Sequence, residues 1–233
     1  MNTIQQHKKQ VFAAVSFVDK AKFTSAENLQ LVAGRKRRGF PKQLKKLGLI
    51  LERLVAGKQM IYGLSKHGAD KICAKKFDLH KVSLSRVEHA LIAQQETLLA
   101  IKEYGVASYE FEPQAYSHDT RPDVIWVMKQ GHKFYIEVEL TAKSLSDGDM
   151  DRFFLKLISR RTIVIFRDVV LFERYIKYAS EYAKRGIPGW KNLDGEWIKF
   201  DQNIQVSSVE WRQVMFKMHK QYNLVSLNEV VYK

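Results

Sequence analysis

Residues 120–143 carry the pattern that most restricts how this chain can fold. Val124 to Met128 is an unbroken apolar run, a turn with Gly131 follows it, and residues 134–140 then bring apolar and acidic side chains in alternation. Such alternation is typical of a β-strand, because successive side chains point to opposite faces of a sheet. The segment therefore predicts a β-hairpin, and the fold must contain a sheet that accepts it.

Three carboxylates belong to this hairpin. Glu137 and Glu139 share one face of the second strand, and Asp123, which follows Pro122, begins the first strand. Strand pairing should bring the Asp123 carboxylate toward the face of the two glutamates. Carboxylates this close repel one another unless a cation neutralises them. We therefore expect Asp123, Glu137 and Glu139 to hold Mg²⁺ or Mn²⁺, hard ions that prefer oxygen ligands.

A two-sided strand is the simpler explanation of the same residues. The polar face would then meet solvent, or the glutamates would pair with Lys133 and Lys143, which have the same parity. A metal ion at this position would instead activate water and stabilise the charge that develops on a phosphodiester. The combination of Pro-Asp, a short hairpin and two alternating glutamates behind a basic N-terminal segment favours the metal site.

The positive charge of the chain is concentrated in its N-terminal third. The formal net charge is +14, and residues 1–80 contain 17 Lys/Arg against 5 Asp/Glu, whereas residues 81–233 contain 22 against 20. A basic block is typical of nucleic-acid binding, of a membrane-surface patch or of a solubilising surface. No long amphipathic helix with a large aromatic face accompanies it, which argues against the membrane. The charge shift predicts a domain boundary near residue 80.

The hydrophobic pattern of residues 1–80 predicts three helices and then a β-hairpin. The helices are expected over 5–18, 26–33 and 41–47, the strands over 49–54 and 59–64, and a last short helix over 66–72. Thr24 and Glu27, three residues apart, predict a capping box at the second helix. Three helices followed by a hairpin describe a winged helix, whose third helix enters the major groove of DNA.

Seven basic residues fall on the predicted third helix and on the turn before it. They are Arg35, Lys36, Arg37, Arg38, Lys42, Lys45 and Lys46. Cations that meet phosphate release its counterions, so binding to double-stranded DNA should depend strongly on salt. A winged helix that contacts proteins through a charged, solvated face is the alternative. The coincidence of charge and recognition helix favours DNA.

The rest of the chain predicts a mixed α/β domain over 81–233. Beside the hairpin, helices are expected over 83–104 with Ser85 as the cap, 149–160, 169–185 and 210–220, and strands over 108–116, 162–166, 197–200 and 204–209. Residues 162–166 are apolar and β-branched, as in a buried central strand. Lys156, Arg160 and Arg161 are available for phosphates. The fold class is therefore a winged helix-turn-helix followed by a mixed sheet flanked by helices.

Composition indicates the compartment. Cys73 is the only cysteine, which excludes a disulfide framework and a cysteine-based zinc site. The first ten residues lack the apolar segment of a secretory signal, and no apolar run approaches the roughly 20 residues that span a bilayer. These features fit bacterial or viral cytoplasm-like conditions best, and we expect a bacterial cytoplasmic protein without membrane insertion.

Arg121-Pro122-Asp123 and Glu137-Val138-Glu139 resemble the core of restriction-endonuclease-like nucleases, whose pattern is Pro-Asp, a strand turn and then Asp/Glu-x-Lys. Glu139 stands where the usual lysine would be, and an E-x-E version occurs in that superfamily. The change leaves open whether Glu139 is a metal ligand or a general base. It also leaves open whether Lys143 supplies the missing positive charge.

The order of motifs over residues 5–180 resembles the replication-relaxation family, which includes plasmid mobilisation relaxases of the MobC type. The segment Tyr62 to Ala69 is similar to the family's hydrophobic-Leu-Thr-x-x-Gly pattern, with Ser65 in place of Thr. His89 corresponds to the family's histidine, and residues 151–160 to the helix after its acidic core. The resemblance implies an N-terminal winged helix joined to a restriction-endonuclease-like half.

The resemblance also implies an activity, that of a metal-dependent DNA endonuclease (relaxase). Such an enzyme nicks one strand at a plasmid transfer origin during conjugative mobilisation, with an accessory mobilisation protein and a coupling protein as further partners. Asp123 and Glu137 would hold Mg²⁺ or Mn²⁺, Glu139 would complete the site or take a proton, and His89 would assist. A lone helical histidine is more often structural.

Other mechanisms and functions fit the same residues. Many relaxases attack DNA with a tyrosine, but no motif selects one of the ten tyrosines, and a water-driven nick needs none. A non-catalytic DNA-binding regulator or replication initiator with a degenerate nuclease fold is the main alternative. A restriction-type nuclease that cuts both strands is a third possibility.

Overall fold

A computed structural model describes residues 3–34, 39–55, 59–114, 121–144, 148–193, 196–221 and 223–232. The chain divides into two compact units, Met1–Gly105 and Val106–Lys233. The division therefore lies after the long helix predicted over 83–104, whereas the charge shift predicts a boundary before it. Each unit is described by itself below.

The first unit contains helices and one β-hairpin. In chain order these elements are α1 (Thr3–Ala21), α2 (Ala26–Ala33), α3 (Phe40–Lys46), β1 (Ile50–Val55), β2 (Gln59–Leu64), α4 (Lys66–Lys71) and α5 (Leu84–Glu103). The two strands pair antiparallel, with Ile50 opposite Leu64. The order of these elements agrees with the sequence-based prediction. The hairpin turn at 56–58 falls outside the described residues.

Two predicted helix caps are wrong. Ser25, not Thr24, caps α2, because its side chain accepts a hydrogen bond from the backbone N–H of Asn28 at 3.1 Å. Thr24 lies one residue before this cap and forms an antiparallel bridge with Tyr62. In α5 the cap is Ser83, and residue 85 lies inside the helix.

The core of the first unit joins the helices to the hairpin. Val15, Leu29, Leu44 and Leu64 are buried together in one apolar cluster. Burial of each such side chain stabilises the fold by about 1.5–3 kcal/mol relative to leaving it exposed. Because Leu44 of α3 points into this cluster, the lysines of the same helix are left on the outer face.

The second unit is built on a mixed sheet. Its elements are β3 (Val106–Phe111), β4 (Val124–Met128), β5 (Lys133–Glu139), α6 (Asp149–Ile158), β6 (Thr162–Phe166), α7 (Val169–Arg185), β7 (Ile187–Leu193), β8 (Glu196–Ile204), α8 (Ser208–Arg212), β9 (Val214–Met218), β10 (Leu224–Ser226) and α9 (Leu227–Val231). Six strands form the sheet in the order β10-β9-β6-β5-β4-β3, and β7 pairs with β8 in a separate hairpin. The predicted mixed α/β class with a helix-flanked sheet is confirmed.

The sheet combines parallel and antiparallel pairing. β3 pairs antiparallel with β4, and β4 with β5, whereas β5, β6 and β9 run parallel to one another, and the edge strand β10 pairs antiparallel with β9. The parallel pair β5 and β6 requires a crossover, which α6 supplies. In the register of that pair Glu137 lies opposite Val164 and Glu139 opposite Phe166. Val164 and Phe166 pack with residues of α6 and α7, so both glutamates face the layer that these helices form.

The C-terminal prediction is wrong in two places. The segment predicted as a helix over 210–220 is the short helix α8 followed by strand β9, and residues 205–207 of the predicted strand 204–209 form a loop. Met and Lys give Val214–Met218 good helix propensity. Val214 and Phe216 are nevertheless buried in the core between β6 and β10, and this tertiary pairing overrides the local preference.

Candidate functional site

Asp123 lies immediately before β4 and contacts β5 through two hydrogen bonds. Its backbone N–H donates to the carbonyl oxygen of Ile136 at 3.0 Å. Its carboxylate Oδ2 accepts from the backbone N–H of Val138 at 2.7 Å. These bonds hold the carboxylate beside the strand that carries Glu137 and Glu139, as the pairing of two neighbouring strands leads one to expect.

The surroundings of this carboxyl group disfavour its charged form. Burial raises the pKa of Asp123 well above its usual value, and the negative charge of Glu137 raises it further. The hydrogen bond from Val138 and the charge of Lys156 act in the opposite direction. Asp123 as a whole is only half-buried, so the rise in its pKa comes from the immediate surroundings of the carboxyl group. A cation beside Asp123 and Glu137 would relieve this repulsion.

Glu137 is neutralised by two cations from the end of α6 and the turn after it. Its Oε1 lies 2.8 Å from Nζ of Lys156 and 3.0 Å from a guanidinium nitrogen of Arg160. Lys156 also donates to the carbonyl oxygen of Arg121 at 3.1 Å, and the Arg160 guanidinium lies 4.4 Å from the centre of the Tyr135 ring. A buried carboxylate needs such partners, because its lost hydration is otherwise uncompensated.

Glu139 has its own set of partners. Lys143 Nζ lies 3.2 Å from its Oε1, and the Tyr175 hydroxyl donates to its Oε2 at 3.1 Å. Burial raises the pKa of Glu139, and Lys143 and Tyr175 partly offset that rise. Burial and the charge of Glu139 raise the pKa of Tyr175, so its hydroxyl remains a proton donor. Both oxygens of Glu139 therefore already have a protein partner.

The donor chemistry of this cluster fits a hard divalent ion, with one restriction. Asp123 and Glu137 supply the carboxylate oxygens that Mg²⁺ or Mn²⁺ prefers, although Lys156 and Arg160 already pair with Glu137. Over the described ranges, however, no three His, Cys, Asp or Glu side chains are grouped closely enough to hold a metal ion. Mg²⁺ commonly binds one or two carboxylates and completes its shell with water and substrate phosphate. A two-carboxylate site is therefore compatible with the geometry, and ligation by Glu139 stays a prediction.

The other predicted site residues lie in different surroundings. His89 is partly buried on α5 of the first unit, and its assisting role stays a prediction. Lys143 pairs with Glu139 rather than with Glu137. The sequence indicated Lys156, Arg160 and Arg161 as available for phosphates. The pairing of Lys156 and Arg160 with Glu137 was not predicted, and no sequence signal indicated the bond from Tyr175.

The predicted DNA-binding residues are only partly described by the structure. Lys42, Lys45 and Lys46 of α3 are exposed, and Lys45 forms an ion pair with Glu52 of β1. Residues 35–38, which supply Arg35, Lys36, Arg37 and Arg38, lie outside the described ranges. The structure therefore shows three lysines on the outer face of one short helix.

Comparisons with known proteins identify no relative. No protein-family model, no curated protein and no solved structure matches this chain. Among the helices that the structure describes, none is both long enough and apolar enough to cross a membrane. The resemblance to the replication-relaxation family therefore rests on the pattern of residues alone.

Proposed function

We propose that this chain binds duplex DNA and that its second unit cleaves a DNA strand with the help of a divalent metal ion. The observation that carries the proposal is the position of the Asp123 carboxylate, held at Val138 beside Glu137 with Lys156 close to both. Buried carboxylates with strongly perturbed pKa values cluster at functional sites more often than elsewhere in proteins. Carboxylates that contact a cationic side chain, as Glu137 contacts Lys156, are suited to the cleavage of a phosphodiester.

The order of elements in the second unit supports a restriction-endonuclease-like fold. The antiparallel strands β3, β4 and β5 are followed by the crossover helix α6 and the parallel strand β6. Asp123 precedes the second of these strands, and Glu137 lies near the end of the third. The proposed site thus lies where two strands and the crossover helix bring their polar side chains together.

Each residue of the cluster has a distinct proposed role. Asp123 and Glu137 would hold Mg²⁺ or Mn²⁺, which when bound supplies an activated water and charge stabilisation at phosphorus. Arg160, held by the Tyr135 ring, would keep positive charge beside Glu137 and the substrate phosphate. Glu139, fixed by Lys143 and Tyr175, would position the end of β5.

The first unit is proposed to be a winged helix that places the protein on DNA. Three helices and a β-hairpin in this order, with Lys42, Lys45 and Lys46 exposed on the third helix, support it. The finer activity, nicking of a plasmid transfer origin by a relaxase with accessory and coupling proteins, is proposed from the family resemblance. A bacterial cytoplasmic location belongs to the same proposal.

The test uses a supercoiled plasmid that carries its own transfer origin, incubated with and without Mg²⁺ or Mn²⁺. We expect metal-dependent open-circular product from the wild type and none from Asp123→Asn or Glu137→Gln, with DNA binding retained. Glu110→Gln, an exposed glutamate of β3, is the matched control and should nick normally. A linear product would indicate cleavage of both strands. Normal nicking by both site variants would overturn the proposal.

A non-catalytic DNA-binding regulator is the second candidate, and the charge balance favours it. Asp123, Glu137 and Glu139 are matched by Lys143, Lys156 and Arg160, so protein cations alone can neutralise the cluster. Calorimetry with Mn²⁺ separates the two candidates. Binding that depends on Asp123 and Glu137 supports the nuclease, and the lack of such binding supports the regulator.

A further inference from the structure

The ammonium group of Lys156 lies beside the carboxylates of Glu137 and Asp123. Its Nζ atom is 2.8 Å from Oε1 of Glu137 and 3.1 Å from the carbonyl oxygen of Arg121, two residues before Asp123. Its charge also acts on the Asp123 carboxylate. The side chain is 17% exposed, so the contact is largely shielded from water. One ammonium thus joins the two segments whose carboxylates would hold the metal ion.

The two cations at Glu137 differ in how easily they can leave it. The Arg160 guanidinium is planar and packs against the Tyr135 ring at 4.4 Å, which holds it in place. Lys156 carries a compact charge on a flexible four-carbon stem, so it can swing away by rotating about its own bonds. A divalent ion that binds Oε1 of Glu137 would repel an ammonium at the same oxygen strongly. Lys156 is therefore the group that has to move.

We propose that Lys156 and the divalent ion compete for Oε1 of Glu137, and that the displaced ammonium then contacts a phosphate of the bound DNA. The inference rests on the proposed function and adds a residue to it. Glu139 stands where the Asp/Glu-x-Lys motif has its lysine, so the motif here lacks a positive charge. The proposal assigns that role to Lys156 rather than to Lys143. Lys143 pairs with Glu139, lies 4.7 Å from the centre of the Phe153 ring and is 32% exposed.

Competition predicts opposite effects of one substitution on metal binding and on cleavage. Lys156→Met removes the competitor, so Mn²⁺ should bind more tightly in the absence of DNA. The same variant lacks the ammonium for the phosphate, so nicking at saturating Mn²⁺ should fall by at least about tenfold. If Lys156 only stabilised the fold, its replacement would weaken both Mn²⁺ binding and nicking, or neither. Lys156→Arg keeps a positive charge beside Glu137 and should bind Mn²⁺ nearly as the wild type does.

The experiment is isothermal titration of the full chain with Mn²⁺, without DNA, followed by nicking assays. We expect about tenfold tighter binding for Lys156→Met. Lys177→Met, an exposed lysine of α7, is the matched control and should bind Mn²⁺ as the wild type does. Thermal unfolding checks that each variant folds. If Lys156→Met does not fold, Lys156→Gln, which keeps a donor for the Arg121 carbonyl without the charge, must show the tighter binding.

The outcomes separate this inference from the proposed function. If the wild type binds Mn²⁺ and nicks DNA while Lys156→Met or Lys156→Gln binds Mn²⁺ no more tightly, the inference alone fails. Tighter binding by Lys143→Met instead would also overturn it. If the wild type neither binds Mn²⁺ nor nicks DNA, the proposed function fails and the inference fails with it.

Discussion

The hydroxyl of Tyr175 lies 3.1 Å from Oε2 of Glu139, so a buried hydrogen bond joins α7 to the end of β5. The Tyr175 ring packs against Phe153 and Phe166 in the core, with ring centres 5.6 and 5.0 Å apart, which fixes the direction of the hydroxyl. One tyrosine therefore links the apolar core to the acidic face of the sheet.

Tyr175→Phe should destabilise the protein. It removes a donor from a buried carboxylate and leaves the ring in place, which costs about 1–3 kcal/mol. For a chain of this size the midpoint of thermal unfolding falls by about 2–4 °C per kcal/mol. Tyr178→Phe, a partly buried tyrosine of the same helix, is the control and should change stability by less than about 0.5 kcal/mol. Equal midpoints for the wild type and Tyr175→Phe would contradict this role of the hydroxyl.

Asp123→Asn should make the protein more stable while it abolishes nicking. The neutral amide can still accept the hydrogen bond from Val138 but no longer repels Glu137 across buried surroundings. Relief of such repulsion should raise the unfolding midpoint by about 2–4 °C, as is common when a functional residue is replaced. Calorimetric unfolding checks it, with the exposed Asp201→Asn as the control. A lower midpoint for Asp123→Asn would show that the carboxylate is stabilising.

Tyr182 should make the fold sensitive to alkaline pH. Its hydroxyl donates to Asp151, which also accepts from Nε1 of Trp190 at 3.0 Å. Burial and the interaction with Asp151 raise the pKa of Tyr182 above its usual value near 10. The folded protein therefore retains a proton that the unfolded chain loses, and stability falls as the pH rises above about 10.

The measurement for Tyr182 is chemical unfolding between neutral and strongly alkaline pH. Tyr182→Phe should be less stable at neutral pH, because Asp151 loses a buried donor, and its stability should fall less steeply above about pH 10. The pKa of Tyr175 is raised as well, so Tyr175 also lowers the stability as the pH rises. Part of the decline in stability should therefore remain in Tyr182→Phe. A decline as steep in Tyr182→Phe as in the wild type would contradict the assignment.

Replacement of Lys42, Lys45 and Lys46 by alanine should weaken DNA binding and reduce its salt dependence. Each lysine that contacts a phosphate contributes about 0.9 to the slope of log affinity against log salt, so the slope should fall by up to about 2.7. Lys45 pairs with Glu52 and must leave it to contact DNA, so its share should be the smallest. Fluorescence anisotropy over a salt series measures the slope. Lys66→Ala, an exposed lysine of α4, is the control, and an unchanged slope in the triple variant would exclude α3 as the DNA-binding element.

Local patterns predicted the elements around the site closely. The predicted ranges 124–128, 162–166 and 169–185 are the observed bounds of β4, β6 and α7. Each has a pronounced apolar pattern between polar or turn residues, so the periodicity alone defines the element. Strand β9 was mistaken for a helix, because its five residues have mixed propensity and only pairing with β6 and β10 decides their conformation.

The face that Glu137 and Glu139 share follows from the sequence, because the side-chain period of a strand is two and needs no partner to define it. The approach of Asp123 to that face follows from the pairing of two neighbouring strands. Which cations meet which carboxylate was decided by the tertiary structure. Lys156 and Arg160 reach Glu137, and Tyr175 reaches Glu139, only because α6 and α7 pack their aromatic side chains on β6. Contacts between distant segments depend on this packing, and no local periodicity contains it.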